Sequence, residues 1–131
     1  MQLEQHGVYT VKVEDSILIV DATGPFNAEL IAAYRRDVDA CIQALSHAAW
    51  GQIIVLHDLS LFTPEAEQAL ERSLEFRKQN GLVASAVVSD SPYKMVKKQM
   101  AEIYHNVALE YAFFEDLDSA KAWLIDTIKG F

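Results

Sequence analysis

Apolar and polar positions alternate over residues 8–15 (VYTVKVED), which predicts a half-buried strand. Residues 16–24 (SILIVDATG) predict a second strand, and the short turn Glu14-Asp15-Ser16 joins the two as an antiparallel hairpin. Gly24-Pro25 stops that strand. The period then becomes helical. Leu30, Ile31, Tyr34, Val38, Cys41, Ile42 and Leu45 share one face, Arg35, Arg36, Asp37 and Asp39 the other, and Asn27 is placed to cap. Residues 51–58 (GQIIVLHD) and 82–90 (LVASAVVSD) are near-continuous apolar runs, as expected of strands covered on both faces. Between them Thr63-Pro64 opens a helix with a hydroxyl cap and a proline in the first turn, and Asn80-Gly81 closes it. Ser91-Pro92 repeats the opening for a third helix ending near Val107. Residues 110–116 (EYAFFED) read as the last strand, and a final helix is capped by Asp118.

The order β-β-α-β-α-β-α-β-α implies an α/β fold: a mostly parallel sheet built by right-handed crossovers after one antiparallel hairpin. At 131 residues, the chain suits a single domain over 1–131. Apolar residues make up 51% and charged residues 23%, the balance of a globular protein. The net charge of −8, from 11 Lys+Arg against 19 Asp+Glu, repels phosphate backbones and argues against nucleic acid as a partner. The lone Cys41 in a helical pattern fits a core role and a reducing compartment. MQLEQHGVYT has neither a basic nor an apolar signal region, so no signal peptide is expected, and no run approaches the roughly 20 apolar residues of a membrane span. The expected location is the cytoplasm.

Parallel sheets place ligands beyond the carboxyl ends of their strands. Asp21, His57, Asp58, Ser60, Ser89, Asp90, Ser91, Glu115 and Asp116 fall there. They read either as a hydrolytic site with His57 as base, or as strand-end polarity with Asp58 bonding the amides of its own turn. HDLSLFTP contains no glycine and forms no phosphate loop or nucleophile elbow. His6, His47, His57 and His105 lack ligand spacing, so no metal and no cofactor are expected; His57 with Asp58 and Asp90 is the nearest approach to a ligand set. In the second helix, Ala66, Ala69, Leu70, Ser73, Leu74 and Phe76 define an apolar arc that includes Arg77. Arg77 is expected to snorkel outward from the last turn; the alternative is an arginine aimed at a carboxylate or acidic headgroup. In the third helix Tyr93, Val96, Met100, Ile103, Tyr104 and Val107 form the buried face. Lys94, Met95, Lys97 and Lys98 lie on the exposed side, as a solvated face or one that meets anionic headgroups. Phe62 and the other aromatics could line an apolar pocket.

Four segments carry a family resemblance: ILIVDATGPFNAEL (17–30), IIVLHDLSLFTPEAEQAL (53–70), SAVVSD (85–90) and FFEDLDSAKAWL (113–124). With the element order, they resemble the STAS superfamily, and F-x-D-x-x-x-A-x-x-W-L from Phe114 to Leu124 resembles its bacterial SpoIIAA-like group of stand-alone proteins. The resemblance implies helices packed on a sheet, no catalytic activity, and a relation to the lipid-binding CRAL-TRIO shape. Phosphorylated antagonists of that superfamily carry Asp-Ser-x-Gly at the second helix, where this chain reads FTPEA (62–66). Thr63 is the remaining hydroxyl and Glu65 and Glu67 would repel a phosphate, so Thr63 is expected to be a plain cap. The expected function is a non-enzymatic cytosolic binding module for a lipophilic small molecule or an anionic membrane surface, peripheral at the inner membrane. The alternatives are a protein-interaction regulator resembling anti-sigma-factor antagonists but without the phosphoacceptor serine, and a hydrolase using His57. Candidate ligand-binding residues are His57, Asp58, Ser60, Phe62, Thr63, Arg77, Asp90 and Tyr93. A homodimer is a further expected assembly.

Overall fold

A computed structural model describes residues 8–131; His6 falls outside them. The chain runs β1 (Val8–Glu14), β2 (Ile17–Thr23), α1 (Ala28–Leu45), β3 (Trp50–His57), α2 (Pro64–Gln79), β4 (Leu82–Ser89), α3 (Lys94–Asn106), β5 (Glu110–Phe114) and α4 (Leu117–Ile128). The five strands lie in the order β1-β2-β3-β4-β5, with β1 antiparallel to β2 and every later pair parallel.

That order dictates the layers. Each crossover from β2 to β5 steps to the next strand in the same direction, and right-handed crossovers then put α1, α2 and α3 on one face. The larger core lies there, from Leu18, Val20 and Trp50 on the sheet to Val38, Leu74 and Tyr104 on the helices. α4 leaves β5 and folds back over the opposite face, where Ile17, Ile19, Ile53, Ala84 and Ala86 meet Ala120 and Leu124. Small residues let α4 approach: a Cβ on Gly51 would sit 2.8 Å from Leu124 Cδ2.

The element order and fold class are as the sequence predicts, while three local features differ. The third helix begins at Lys94 with no side-chain cap, because the Ser91 hydroxyl accepts the Tyr93 amide in a turn before it (3.1 Å). Tyr93 therefore stands outside the helix and is exposed rather than on its buried face. The last helix is capped by Asp116, not Asp118; its Oδ1 accepts the Ser119 amide at 2.7 Å, and Asp118 falls in the first turn. In α2 the buried stripe is Ala66, Leu70, Ser73, Leu74 and Arg77, with Phe76 turned out. Arg77 does not snorkel: it is completely buried. None of the described helices is long and apolar enough to cross a membrane.

Candidate functional site

Two polar centres stand on opposite faces of the sheet. The first is at the carboxyl edge. Strand alternation puts Asp21, His57 and Asp90 on the α4 side, beyond the stretch that α4 covers. His57 Nε2 lies 3.0 Å from Asp21 Oδ1 and Nδ1 lies 3.2 Å from Asp90 Oδ2, so one imidazole bridges three adjacent strands. An imidazolium donates from both nitrogens and satisfies both carboxylates. The bond to Asp21, with that to Asp90, raises the His57 pKa above its ordinary value against the opposing effect of partial burial. The Ser60 hydroxyl does not face this ring. It is buried, donates to the His57 backbone carbonyl and accepts the Gly24 amide at 3.0 Å.

Ser60 thereby ties the loop after β3 to the loop after β2. Phe26 N–H donates to Leu61 O (2.9 Å) and Thr63 N–H to Phe26 O (3.1 Å), and the Phe26 and Phe62 rings lie 4.7 Å apart. The approach is close enough that a Cβ on Gly24 would sit 2.9 Å from the Ser60 Cα. Asp58 turns the chain with a φ of 54°; among the described residues no backbone amide donates to its carboxylate, so backbone conformation rather than side-chain bonding makes this turn. Thr63 caps α2 by accepting the Ala66 amide at 3.1 Å. The edge also exposes apolar side chains: Leu59 on the loop after β3, and Tyr93 and Met95 (62% exposed) after β4. Lys94, Lys97 and Lys98 are exposed beside them, Lys97 lying 5.8 Å from the centre of the Phe113 ring.

The second centre is buried under the three helices. Arg77 Nη1 donates to Gln52 Oε1 (2.8 Å) and Nη2 to Ser73 Oγ (2.9 Å). Gln52 Nε2 continues to Ser85 Oγ (3.0 Å), which donates to Tyr104 OH (2.8 Å). The guanidinium lies 5.0 Å from the centre of the Tyr34 ring. Burial raises the Tyr104 pKa. Arg77, Gln52 and Tyr104 border a cavity of about 40 Å³ whose other walls are mostly apolar, with half-exposed Tyr9 and Phe62 among them. A drug-sized ligand needs about 300–1,000 Å³, so the space as it stands suits a small ligand rather than a long acyl chain.

The structure thus brings His57 and Asp90 together, with Asp58, Ser60 and Thr63 on the same loop, and separates all of them from Arg77. Gln52, Ser73 and Ser85 were missed as partners of Arg77. The signal for Gln52 and Ser85 is polarity at single positions inside apolar strand runs, and for Ser73 a hydroxyl on the apolar arc of the second helix. Among the described residues, no cluster of three or more His, Cys, Asp or Glu could hold a metal ion.

A model of the SpoIIAA-like family matches residues 17–125. The chain belongs to the SpoIIAA-like family. Two solved structures resemble it over most of their length. One is an anti-sigma factor antagonist from Mycobacterium paratuberculosis, 17% identical, with 92% of this chain and 95% of that one covered and a TM-score of 0.58. The other is an uncharacterized protein of the DUF3478 family from Shewanella loihica with a SpoIIAA-like fold, 14% identical, covering 91% and 93% with a TM-score of 0.62. At these identities they share the SpoIIAA-like fold. No curated protein matches the sequence.

Proposed function

We propose that this SpoIIAA-like protein is a non-enzymatic interaction module that docks a protein partner on the carboxyl edge of its sheet. The carrying observation is the exposure of Leu59 and Tyr93, on two loops that rise from adjacent strands and are tied by the His57–Asp90 bond, and of Met95 in the first turn of α3 just beyond. Exposed apolar side chains rimmed by charge are what a protein interface offers before it is covered. Lys94, Lys97 and Lys98 at the rim favour acidic side chains on the partner. The likeness to an anti-sigma factor antagonist is consistent with a partner protein. A non-catalytic role is supported by His57, whose ring nitrogens face two carboxylates and, among the described residues, no hydroxyl.

The test is quantitative affinity capture with the wild type and a Leu59→Glu/Met95→Glu variant as baits, followed by binding of the purified captured protein. The reading expects a partner held by the wild type and weakened at least about tenfold by the variant, since burying an unpaired charge in an apolar contact costs more than 1.4 kcal/mol. Identical capture by both baits would contradict it. Binding of the wild type, but not the variant, to anionic vesicles instead of a protein would transfer the same surface to a membrane.

A further inference from the structure

The two edges of the sheet are protected differently. A free strand edge presents amides and carbonyls to any extended chain, and natural edges are blunted by charge, proline or bulges. β1 carries Lys12 and Glu14 within the strand, and Glu14 is engaged by Lys12 (3.8 Å) and by Lys121 of α4 (3.0 Å). β5 has none of these devices. Residues 111–114 contain no charge and no proline, and the pairing of β5 with β4 runs without a bulge. Among the described residues, β4 is the only strand that pairs with β5, and no loop or helix backbone group bonds to its outer side. The side chains along this edge are apolar on both faces. Tyr111 and Phe113 point to the α3 side, the Tyr111 ring lying 5.4 Å from that of Tyr104 and 5.7 Å from that of Phe113. Phe114 points to the α4 side, its ring 5.6 Å from that of Trp123. Residues 111–114 and Trp123 are all half-exposed, and exposed Glu110 and Glu115 bracket the strand.

We propose that β5 accepts an extended segment of another protein as a sixth strand, apolar at its centre and carrying lysine or arginine at both ends. The backbone of the segment would pair with the outward amides and carbonyls of β5, and its alternate side chains would cover the aromatic rows on the two faces. Charge selects this occupant over a second copy of the chain. An antiparallel self-pairing centred on Ala112 brings Glu110 of one copy beside the turn at Glu115 and Asp116 of the other, at both ends, between chains of net charge −8. Basic ends on the segment meet the same carboxylates favourably. The inference is independent of the docking surface at the carboxyl edge: none of Leu59, Tyr93 and Met95 lies on β5.

The test is an NMR titration of the 15N-labelled full chain, at constant ionic strength, with the peptide KKVTVTVKK, its acidic counterpart EEVTVTVEE, and a form of the first N-methylated at its valines and threonines. N-methylation keeps the charge and the apolar centre but removes the amides a strand needs for pairing. KKVTVTVKK should shift the amides of residues 110–114 most and bind at least about tenfold tighter than EEVTVTVEE. The N-methylated form should lose at least about tenfold in affinity. Glu110→Lys/Glu115→Lys, at two exposed positions, should reverse the preference between the basic and acidic peptides, and Leu59→Glu/Met95→Glu should leave it unchanged. Equal binding of the parent and N-methylated peptides to the wild type overturns the proposal, and so do shifts centred away from β5 or the absence of saturable binding by KKVTVTVKK.

Discussion

The two cations on either side of the sheet solve the same electrostatic problem in opposite ways. His57 stands at the edge, half-buried, between Asp21 and Asp90, and its charge is matched by two carboxylates that are themselves solvated. Arg77 lies in the core with neutral amide and hydroxyl partners and an aromatic face. Water screens the first arrangement, so it contributes little to stability and can change with pH. Burial denies the second that screening, so its geometry is demanding. An exposed, compensated charge suits a surface that meets macromolecules; a buried one held by neutral partners makes the packing around it exacting.

The largest expected effect is on the buried side. Arg77→Lys keeps a charge there but loses the planar fork that reaches Gln52 and Ser73, and should cost about 3–5 kcal/mol. Arg77→Met removes the charge with similar bulk and should cost much less, because the relief of desolvation offsets the bonds lost. Urea unfolding of both variants orders them; a lysine variant as stable as the methionine one would show that the guanidinium is not under electrostatic demand. Next comes Ser60→Ala at the edge. It leaves the Gly24 amide without its acceptor in a closely packed loop junction and should cost about 1–3 kcal/mol. A loss below a few tenths would mean the two loops are held by the Phe26–Leu61 and Thr63–Phe26 backbone bonds alone.

The smallest effect is that of the exposed cation. The folded state raises the His57 pKa, so it binds a proton more tightly than the unfolded chain does. Its contribution is fully present below the unfolded value of about 6.5 and is lost as pH rises through the raised folded value. Wild type should therefore exceed His57→Asn in stability most at mildly acidic pH, by under about 1 kcal/mol for this half-exposed pair, with the gap closing in mildly alkaline solution. A gap that widens with pH would show that the imidazole is held neutral.

Much of this contrast was written in the sequence, but unevenly. The strands followed from apolar runs, and the caps Asn27 and Thr63 from their positions before helical periods. The stripe Ala66, Leu70, Ser73, Leu74, Arg77 was also there in the spacing. Intrinsic preference argued for turning an arginine outward, and packing between α1 and the sheet overrode it. Gln52 and Ser85 were visible as lone polar residues in the third and fourth strands, yet their meeting with Arg77 depends on strand register and helix placement that periodicity does not give. The same holds for His57, whose partners lie 36 and 33 residues away. Asp116 and Asp118 illustrate a finer limit: both can cap, and only the local bond to Ser119 decides.

The central contrast, one cation matched by solvated carboxylates and one buried among neutral partners, is tested most directly by the side-chain 15N spectra of His57 and Arg77. The account predicts a His57 ring that carries a proton on both nitrogens at mildly acidic pH and Arg77 guanidinium protons that exchange slowly with water. Arg77 protons that exchange as fast as those of a solvated arginine, or a His57 ring singly protonated in mildly acidic solution, would contradict it.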